Sequence, residues 1–261
     1  MDDPKTIRIP EPLFTFAIRQ EFPQLDSSWM TFPGDYLLYA ATGTFHLDFE
    51  NVRWYLPPQR AAWVAARTNI RIWTDRPVTS RSVLFAGDVR SPGLPPCRVF
   101  APTPLVKELL AYVMRWGAER PDPSAQPYFQ SLAAQCNELA AQPERFWLPR
   151  TDDTSLDTVT VYIQEHLDGT LTADSLARMA NLSERTLARR FHAGLGMTCG
   201  QYVHRVRMLR ALELLESRRS VSEVAWAVGF ESLSAFISAF KTFAQETPTR
   251  YRRRLAERSR D

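Results

Sequence analysis

The chain has 261 residues, 44 % of them hydrophobic, and a formal charge of +3 at pH 7 from 32 Lys and Arg against 29 Asp and Glu. That length holds one large or two ordinary domains with a full core. No apolar run approaches the roughly 18 to 20 residues needed to span a bilayer, and the opening MDDPKTIRIPEP has neither a basic nor an apolar leader region, so the expectation is a cytoplasmic protein with no membrane partner.

Cys97, Cys136 and Cys199 are an odd number at no metal-ligand spacing, which points to small buried side chains rather than disulfides. The charge is unevenly spread. Residues 1–150 carry 16 basic against 15 acidic residues, whereas residues 178–261 carry 16 against 8. Arginine supplies 29 of the 32 basic residues, which suits planar contacts to phosphates and bases, although a GC-rich genome gives the same bias.

In chain order, residues from about Tyr36 to Phe85 read as extended. GTFHLDFE alternates Phe45, Leu47 and Phe49 against Thr44, His46, Asp48 and Glu50, and Asn51 turns the chain into VRWYL. RAAWVAA, IRIWT and SRSVLFA follow as short strands between turn signals, the spacing of a small antiparallel barrel or sandwich. After a proline-rich passage, Pro92 to Pro104, apolar residues Leu105, Leu109, Tyr112, Val113 and Trp116 recur at helical spacing, and a second helix is expected from about Tyr128 to Ala141. These two helices either cover the barrel or pair with a second subunit, and both can hold at once.

A linker at about Gln142 to Asp153 leads into a wholly helical region. There LARMANLSERTLARRF and VAWAVGFESLSAFISAF align: small Ala177 and Ala225, turn residues Asn181 and Gly229, caps Ser183 and Ser232, and inward Leu187/Phe191 and Phe236/Phe240. Each segment is a helix-turn-helix. The two are offset by about 48 residues, with a long helix between them opened by a Thr198/Gln201 capping box. Two such copies with matching caps and core positions point to a DNA-binding protein.

On the first reading helix, with Leu187 and Phe191 inward, the outward residues are Glu184, Arg185, Ala188, Arg189 and His192, of which the first four are the candidate base readers, and an arginine fork on guanine discriminates by about 1 to 3 kcal/mol. Arg190 falls between faces and suits a phosphate or a local carboxylate. The second reading helix offers Leu233, Ser234, Ile237 and Ser238, which can touch thymine methyls or make single, permissive hydrogen bonds. Thr198, Gln201, Lys241, Thr247, Arg250 and Arg252 are the remaining candidates for phosphate contacts. The expectation is a division of labour, the first module specifying sequence and the second mainly fixing position.

Residues 155–255 resemble the DNA-binding domain of AraC/XylS-type transcriptional regulators. The family's S-x-R-T-L-x-R-x-F stands as Ser183 to Phe191, A-x-x-V-G-F-x-S-x-S-x-F-x-x-x-F-K as Ala225 to Lys241, and T-P-x-x-Y-R as Thr247 to Arg252. Two departures are Cys199, where a proline is usual, and Gln245, where a glycine usually ends the second reading helix. The stretch from Gly34 to Phe85 resembles the cupin-type sensor domain of the same regulators, notably in LLYAATGTFHLDF and WYLPPQRAAWVAA, and residues 1–145 are expected to form a cupin-like sensor and dimerisation domain. The resemblance implies an α+β two-domain chain: an N-terminal antiparallel β-barrel (cupin-like), two helices, then an all-α double helix-turn-helix domain. Its partners would be double-stranded promoter DNA, a small-molecule effector, RNA polymerase if it is an activator, and a second copy through the sensor domain.

Cupins of that group commonly carry several metal-binding histidines. Here Asn69 stands at the second-motif position and no His precedes His46, so neither a metal, a cofactor nor an enzymatic role is expected. The sequence pattern lines the barrel with Tyr39, Phe45, Leu47, Phe49, Trp54, Trp63 and Trp73. Tyr39, His46, Arg53, Trp54, Trp63, Arg71 and Trp73 are the candidate effector residues, the arginines suited to orient an anionic or polar molecule. Two other readings stand beside this one: a platform controlled by a partner protein, and a cupin enzyme.

Overall fold

The computed structural model describes residues 7–8, 14–142 and 145–257. They fall into two compact units, Met1–Glu50 with Trp54–Trp147, and Asn51–Arg53 with Leu148–Asp261.

The first unit is built on β-strands. Strands β1 (Ile7–Arg8), β2 (Phe16–Phe22), β3 (Leu25–Thr31), β4 (Tyr36–Thr42), β5 (Phe45–Phe49), β6 (Val52–Leu56), β7 (Ala61–Val64), β8 (Ile70–Thr74), β9 (Val78–Leu84), β10 (Cys97–Phe100) and β11 (Trp147–Pro149) form two sheets. One runs in the order β1-β3-β8-β5-β6-β11, the other β10-β7-β4-β9-β2. The short β1 pairs parallel to β3. The pairs of β2 and β4 with β9, β7 with β4 and β10, and β8 with β3 and β5 are antiparallel. The expected hairpin is present as β5 and β6, while β2, β3, β10 and β11 lie outside the segments expected to be extended. β10 sits within the proline-rich passage and β11 within the expected linker, where short strands leave little periodicity to detect.

Helices α1 (Pro104–Val113) and α2 (Gln126–Ala140) follow the sheets. Thr103 caps α1 by accepting from the Val106 amide, and Pro104 occupies the first helical position, where a missing N–H costs nothing. Val106, Leu110 and Val113 of α1, with Phe129, Leu132 and Cys136 of α2, pack on Leu37, Tyr39, Ala61, Trp63, Val83 and Phe85. The helices therefore cover the outer face of the five-stranded sheet. Each large side chain fully buried there contributes about 1.5–3 kcal/mol. Trp63 also donates from Nε1 to Asn137 Oδ1 at 3.0 Å, tying α2 to the sheet.

This double-sided burial explains the strand YLLYAA. Tyr36 and Leu38 face the space between the sheets while Leu37 and Tyr39 face the helices, so the alternation of apolar and polar residues that marks a half-exposed strand is absent.

The second unit is helical: α3 (Thr154–Glu165), α4 (Ala173–Met179), α5 (Glu184–Leu195), α6 (Cys199–Leu215), α7 (Val221–Ala227), α8 (Leu233–Ala244) and α9 (Pro248–Glu257). Asp153 caps α3 through the amides of Ser155 and Leu156. Val159, Ile163 and Leu167 are buried, whereas Tyr162 and His166 are exposed and stack on one another at 4.1 Å between ring centroids. Among the described residues no helix is long and apolar enough to cross a membrane.

Candidate nucleic-acid interface

The two helix pairs match at the level of single hydrogen bonds. Helix α4 opens with a Thr172/Ser175 capping box and α7 with a Ser220/Glu223 capping box. Each ends in the same reverse turn. The Leu182 amide donates to the Ala177 carbonyl (2.9 Å) and that of Asn181 to Arg178 (3.0 Å); the Phe230 amide donates to Ala225 (3.0 Å) and that of Gly229 to Trp226 (2.9 Å). This paired pattern is a Schellman cap, which needs a left-handed residue at its centre. Asn181 (φ 54°) and Gly229 (φ 77°) supply it.

Ser183 then caps α5 by accepting from the Thr186 amide, and Ser232 caps α8 by accepting from that of Ala235. The offset is 48 residues from Asn181 to Gly229 but 49 from Ser183 to Ser232, so the second turn is one residue longer. Leu187, Phe191, Phe236 and Phe240 are all buried, which fixes the rotation of both reading helices. Between the modules, α6 opens with the Thr198/Gln201 capping box, and Cys199 stands at its first helical position with its thiol pushed up to about 11 by burial.

With those faces inward, Glu184, Arg185, Ala188 and Arg189 are exposed on α5. Among the described residues neither Arg185 nor Arg189 has a carboxylate or carbonyl partner. Arg190 is half-buried, its NH1 3.8 Å from Asp153 Oδ2, so the local-carboxylate option is the one present. On α8, Leu233, Ser234 and Ser238 are exposed and Ile237 is half-buried; the Ser234 hydroxyl lies 2.8 Å from that of Ser232. Lys241 and Arg250 are exposed, and Arg252 is half-buried. The side chains of Thr198, Gln201 and Thr247 are engaged as helix caps: Thr198 accepts from the Gln201 amide, Gln201 from that of Thr198, and Thr247 from that of Arg250.

One residue absent from the expected set organises this unit. Arg207, on α6, donates from NH2 to the Gly169 carbonyl at 3.2 Å and lies over the Phe230 ring at 6.0 Å. It thereby links the turn after α3 to the turn of the second module. Burial lowers its pKa, opposed by Glu231. Nothing in the sequence singles it out, since the same helix also carries Arg205 and Arg210.

In the first unit, Phe16, Ile18, Gln20, Phe22, Leu25, Ser27, Met30, Phe32, Tyr36, Leu38, Phe45, Ile72, Ser80 and Leu84, drawn from both sheets, line a cavity of about 300 Å³. Phe45 was expected there. None of Tyr39, His46, Arg53, Trp54, Trp63, Arg71 or Trp73 borders this cavity. Tyr39 and Trp63 sit in the opposite layer, under α1 and α2. Trp73 stacks on His46 at 4.0 Å and donates to Asp48 Oδ2 at 3.2 Å. Arg71 binds Asp26 through two hydrogen bonds of 2.9 and 2.6 Å. Trp54 is buried with its ring 6.5 Å from that of Trp147, and Arg53 is half-buried on β6. For Tyr39, His46, Arg71 and Trp73 the physical reason is strand parity, since they alternate with the lining Leu38, Phe45 and Ile72, whereas Arg53, Trp54 and Trp63 stand on β6 and β7, which contribute nothing to the lining. Among the described residues no group of three or more His, Cys, Asp and Glu side chains is placed to hold a metal ion.

Twin helix-turn-helix modules with matched caps, on a common buried core and with basic residues outward, define a DNA-binding transcriptional regulator. Residues 176–254 match the family described as a helix-turn-helix domain. The HTH-type transcriptional regulator NimR of Escherichia coli is 28 % identical over 232 residues, 84 % of this chain and 80 % of that protein. The regulatory protein SoxS of Salmonella typhimurium is 32 % identical over 101 residues, 38 % of this chain and 94 % of that protein. The solved C-terminal domain of AraT, a response regulator from Geobacillus stearothermophilus, is 31 % identical, with 39 % of this chain and 85 % of that one covered at a TM-score of 0.38. The chain belongs to the AraC-type helix-turn-helix transcriptional regulators.

Proposed function

We propose that the chain is a cytoplasmic, effector-controlled regulator, not an enzyme, in which α5 supplies most of the base specificity and α8 mainly positions the protein on promoter DNA. The observation that carries this reading is the contrast between the two exposed faces. Arg185 and Arg189 are exposed and unengaged on α5, four residues apart and so on one face, whereas α8 presents Leu233, Ser234, Ile237 and Ser238. A guanidinium can bind guanine through two parallel hydrogen bonds; a serine hydroxyl cannot discriminate to that degree. Lys241, Arg250 and Arg252 then hold phosphates, with Arg190 and the cap residues Thr198, Gln201 and Thr247 at the margins of the contact.

The experiment is selection of bound sequences from random DNA by the full chain and by Arg189→Ala and Ser234→Ala. Arg189→Ala should relax preference at its sub-site by about 1–3 kcal/mol, and Ser234→Ala should leave the selected sequence nearly intact. Equal relaxation by both would remove the asymmetry.

The N-terminal unit is read as a cupin-like sensor that also mediates dimerisation and, in an activator, biases contact with RNA polymerase. A second reading, control by a partner protein, draws on an aromatic group at the helices that cover the sheet, in which Tyr112 and Tyr128 are exposed and Trp116, just past α1, is half-buried. Tyr112, Trp116 and Tyr128 lie 4.8 to 5.6 Å apart, and Leu105 is 54 % exposed. Sedimentation of the full chain and of Tyr128→Glu distinguishes self-association from a face reserved for another protein.

A further inference from the structure

We propose that the cavity between the two sheets binds an uncharged, largely apolar ring compound with a single hydroxyl, carbonyl or amide group, and that it rejects carboxylates. The inference rests on reading the N-terminal unit as a sensor and assigns the chemistry of what it senses.

The walls carry it. Phe16, Met30, Phe32, Leu38, Phe45 and Ile72 supply apolar surface from both sheets, and none of the lining residues is charged. The volume, about 300 Å³, is at the small end of ligand sites, which suits one or two fused rings. Phe32 and Tyr36 stack at 3.9 Å between centroids, giving a rigid aromatic wall. The polar groups are few and neutral. The Ser27 hydroxyl is occupied, accepting from the Ile72 amide and donating to the Ser28 carbonyl. That leaves the Ser80 hydroxyl and the exposed Gln20 carboxamide, together with the Tyr36 phenol, which already faces the Ser82 hydroxyl. Burial pushes the Tyr36 phenol up to about 12, with the Ser82 hydroxyl opposing, so it stays protonated.

The open side lies along β2 and β3, where Phe22 and Leu25 are half-buried and Gln20 is exposed, while Met30, Leu38, Phe45 and Ser80 form the buried end. A ring entering there would meet the Gln20 amide at the mouth or the Ser80 hydroxyl at the buried end, according to which way its polar group points.

Among the described residues lining the cavity an anion finds no cationic partner. Arg71 follows the opposite strand parity to Ile72 and is held by both oxygens of Asp26. Arg19 and Arg81 are cross-strand partners at positions that alternate with Ile18, Gln20 and Ser80, so they leave the cavity face. A carboxylate would therefore shed its water with no cation to replace it, the costly case of charge burial.

The test titrates the full chain by calorimetry at neutral pH with cinnamyl alcohol and cinnamamide, and with cinnamate as the matched anion. The two uncharged probes should bind, and cinnamate should bind about a hundredfold more weakly or not at all. Ser80→Leu, which fills the buried end, should weaken the uncharged probes about tenfold or more with the circular dichroism spectrum retained. Ile18→Arg, at a half-buried position beside the opening, should narrow the gap between cinnamamide and cinnamate by about tenfold and keeps the test open if Ser80→Leu does not fold. Cinnamate binding within threefold of cinnamamide, no heat from either uncharged probe, or unchanged binding in both variants would overturn the assignment. Operator affinity measured on the same samples separates the two levels: a probe that fills the cavity without altering DNA affinity sinks effector control and leaves the ligand class standing.

Discussion

Gln245 ends α8 with a left-handed backbone, φ 60°, at a position where a side chain costs energy and glycine does not. Its Nε2 donates to the Thr242 carbonyl at 2.8 Å, which recovers one of the open carbonyls at the helix end. The helix is thus capped in spite of the substitution that sets this chain apart from the family pattern. Gln245→Gly should stabilise the chain by about 0.5–1 kcal/mol, less whatever that side-chain bond contributes, and equilibrium denaturation measures it. A different residue-scale effect sits at Asp26, whose carboxyl is lowered to about 2, chiefly by the hydrogen bond from Arg71. A carboxylate with a depressed folded value adds stability above its unfolded value near 3.8, and that stability disappears as the pH falls through the folded value. Asp26→Asn should therefore lower stability at neutral pH by no more than about 1 kcal/mol, because the pair is half exposed, and should flatten the loss between about pH 4 and 2 in acid titrations. The pairing was not legible in the sequence: Asp26 and Arg71 are 45 positions apart, and only the β3–β8 register brings them together.

At the scale of elements, legibility followed the range of the forces involved. Caps and turns act within a few residues, so Ser183, Ser232, Asn181, Gly229 and the Thr198/Gln201 box could be read directly, and the rotation of α5 and α8 followed from two buried side chains on each. The first unit resisted because its five-stranded sheet is buried on both faces. With apolar residues at every position of YLLYAA, no periodicity says which of Leu38 and Tyr39 sees the cavity, and of the aromatic residues Phe45 lines it while Tyr39 and Trp63 pack under the helices. The position of Arg207 was equally hidden, since its partners come from separate turns. It bears on Gly229: a Cβ there would lie 2.1 Å from the Leu167 carbonyl oxygen and 2.6 Å from Arg207 NH2, on a backbone with φ 77°. Gly229→Ala should cost about 2–4 kcal/mol, combining left-handed strain with a clash against backbone that cannot move cheaply. Asn181→Gly, at the equivalent residue of the first module, should be neutral or stabilising by less than about 1 kcal/mol. Thermal unfolding of the two variants should therefore shift in opposite directions or leave the second unmoved, and a tolerated alanine at Gly229 would show that the second turn is free to open.

Over the whole molecule, the charge asymmetry becomes a statement about salt. The 16 basic residues of residues 178–261 outnumber the 8 acidic ones two to one, so positive charge remains in excess beside local pairs such as Arg210 with Glu213 and Arg254 with Glu246. Basic groups left over can displace the counterions condensed on DNA, each phosphate neutralised adding about −0.9 to the slope of log K against log salt. With about six phosphates held by residues such as Lys241, Arg250 and Arg252, the slope should be near −5. The contact classes then separate by experiment. Arg250→Ala should weaken binding to all sequences alike and make the slope shallower by about 1, because it removes a phosphate contact and reads no base. Arg189→Ala should instead lower affinity for the selected site far more than for random DNA. Titrating both variants on the selected site and on a scrambled duplex over a range of salt concentrations tests this. An Arg250→Ala loss confined to the selected site would move that residue from the phosphate backbone to the bases, and an Arg189→Ala loss equal on both duplexes would take sequence choice away from the first reading helix.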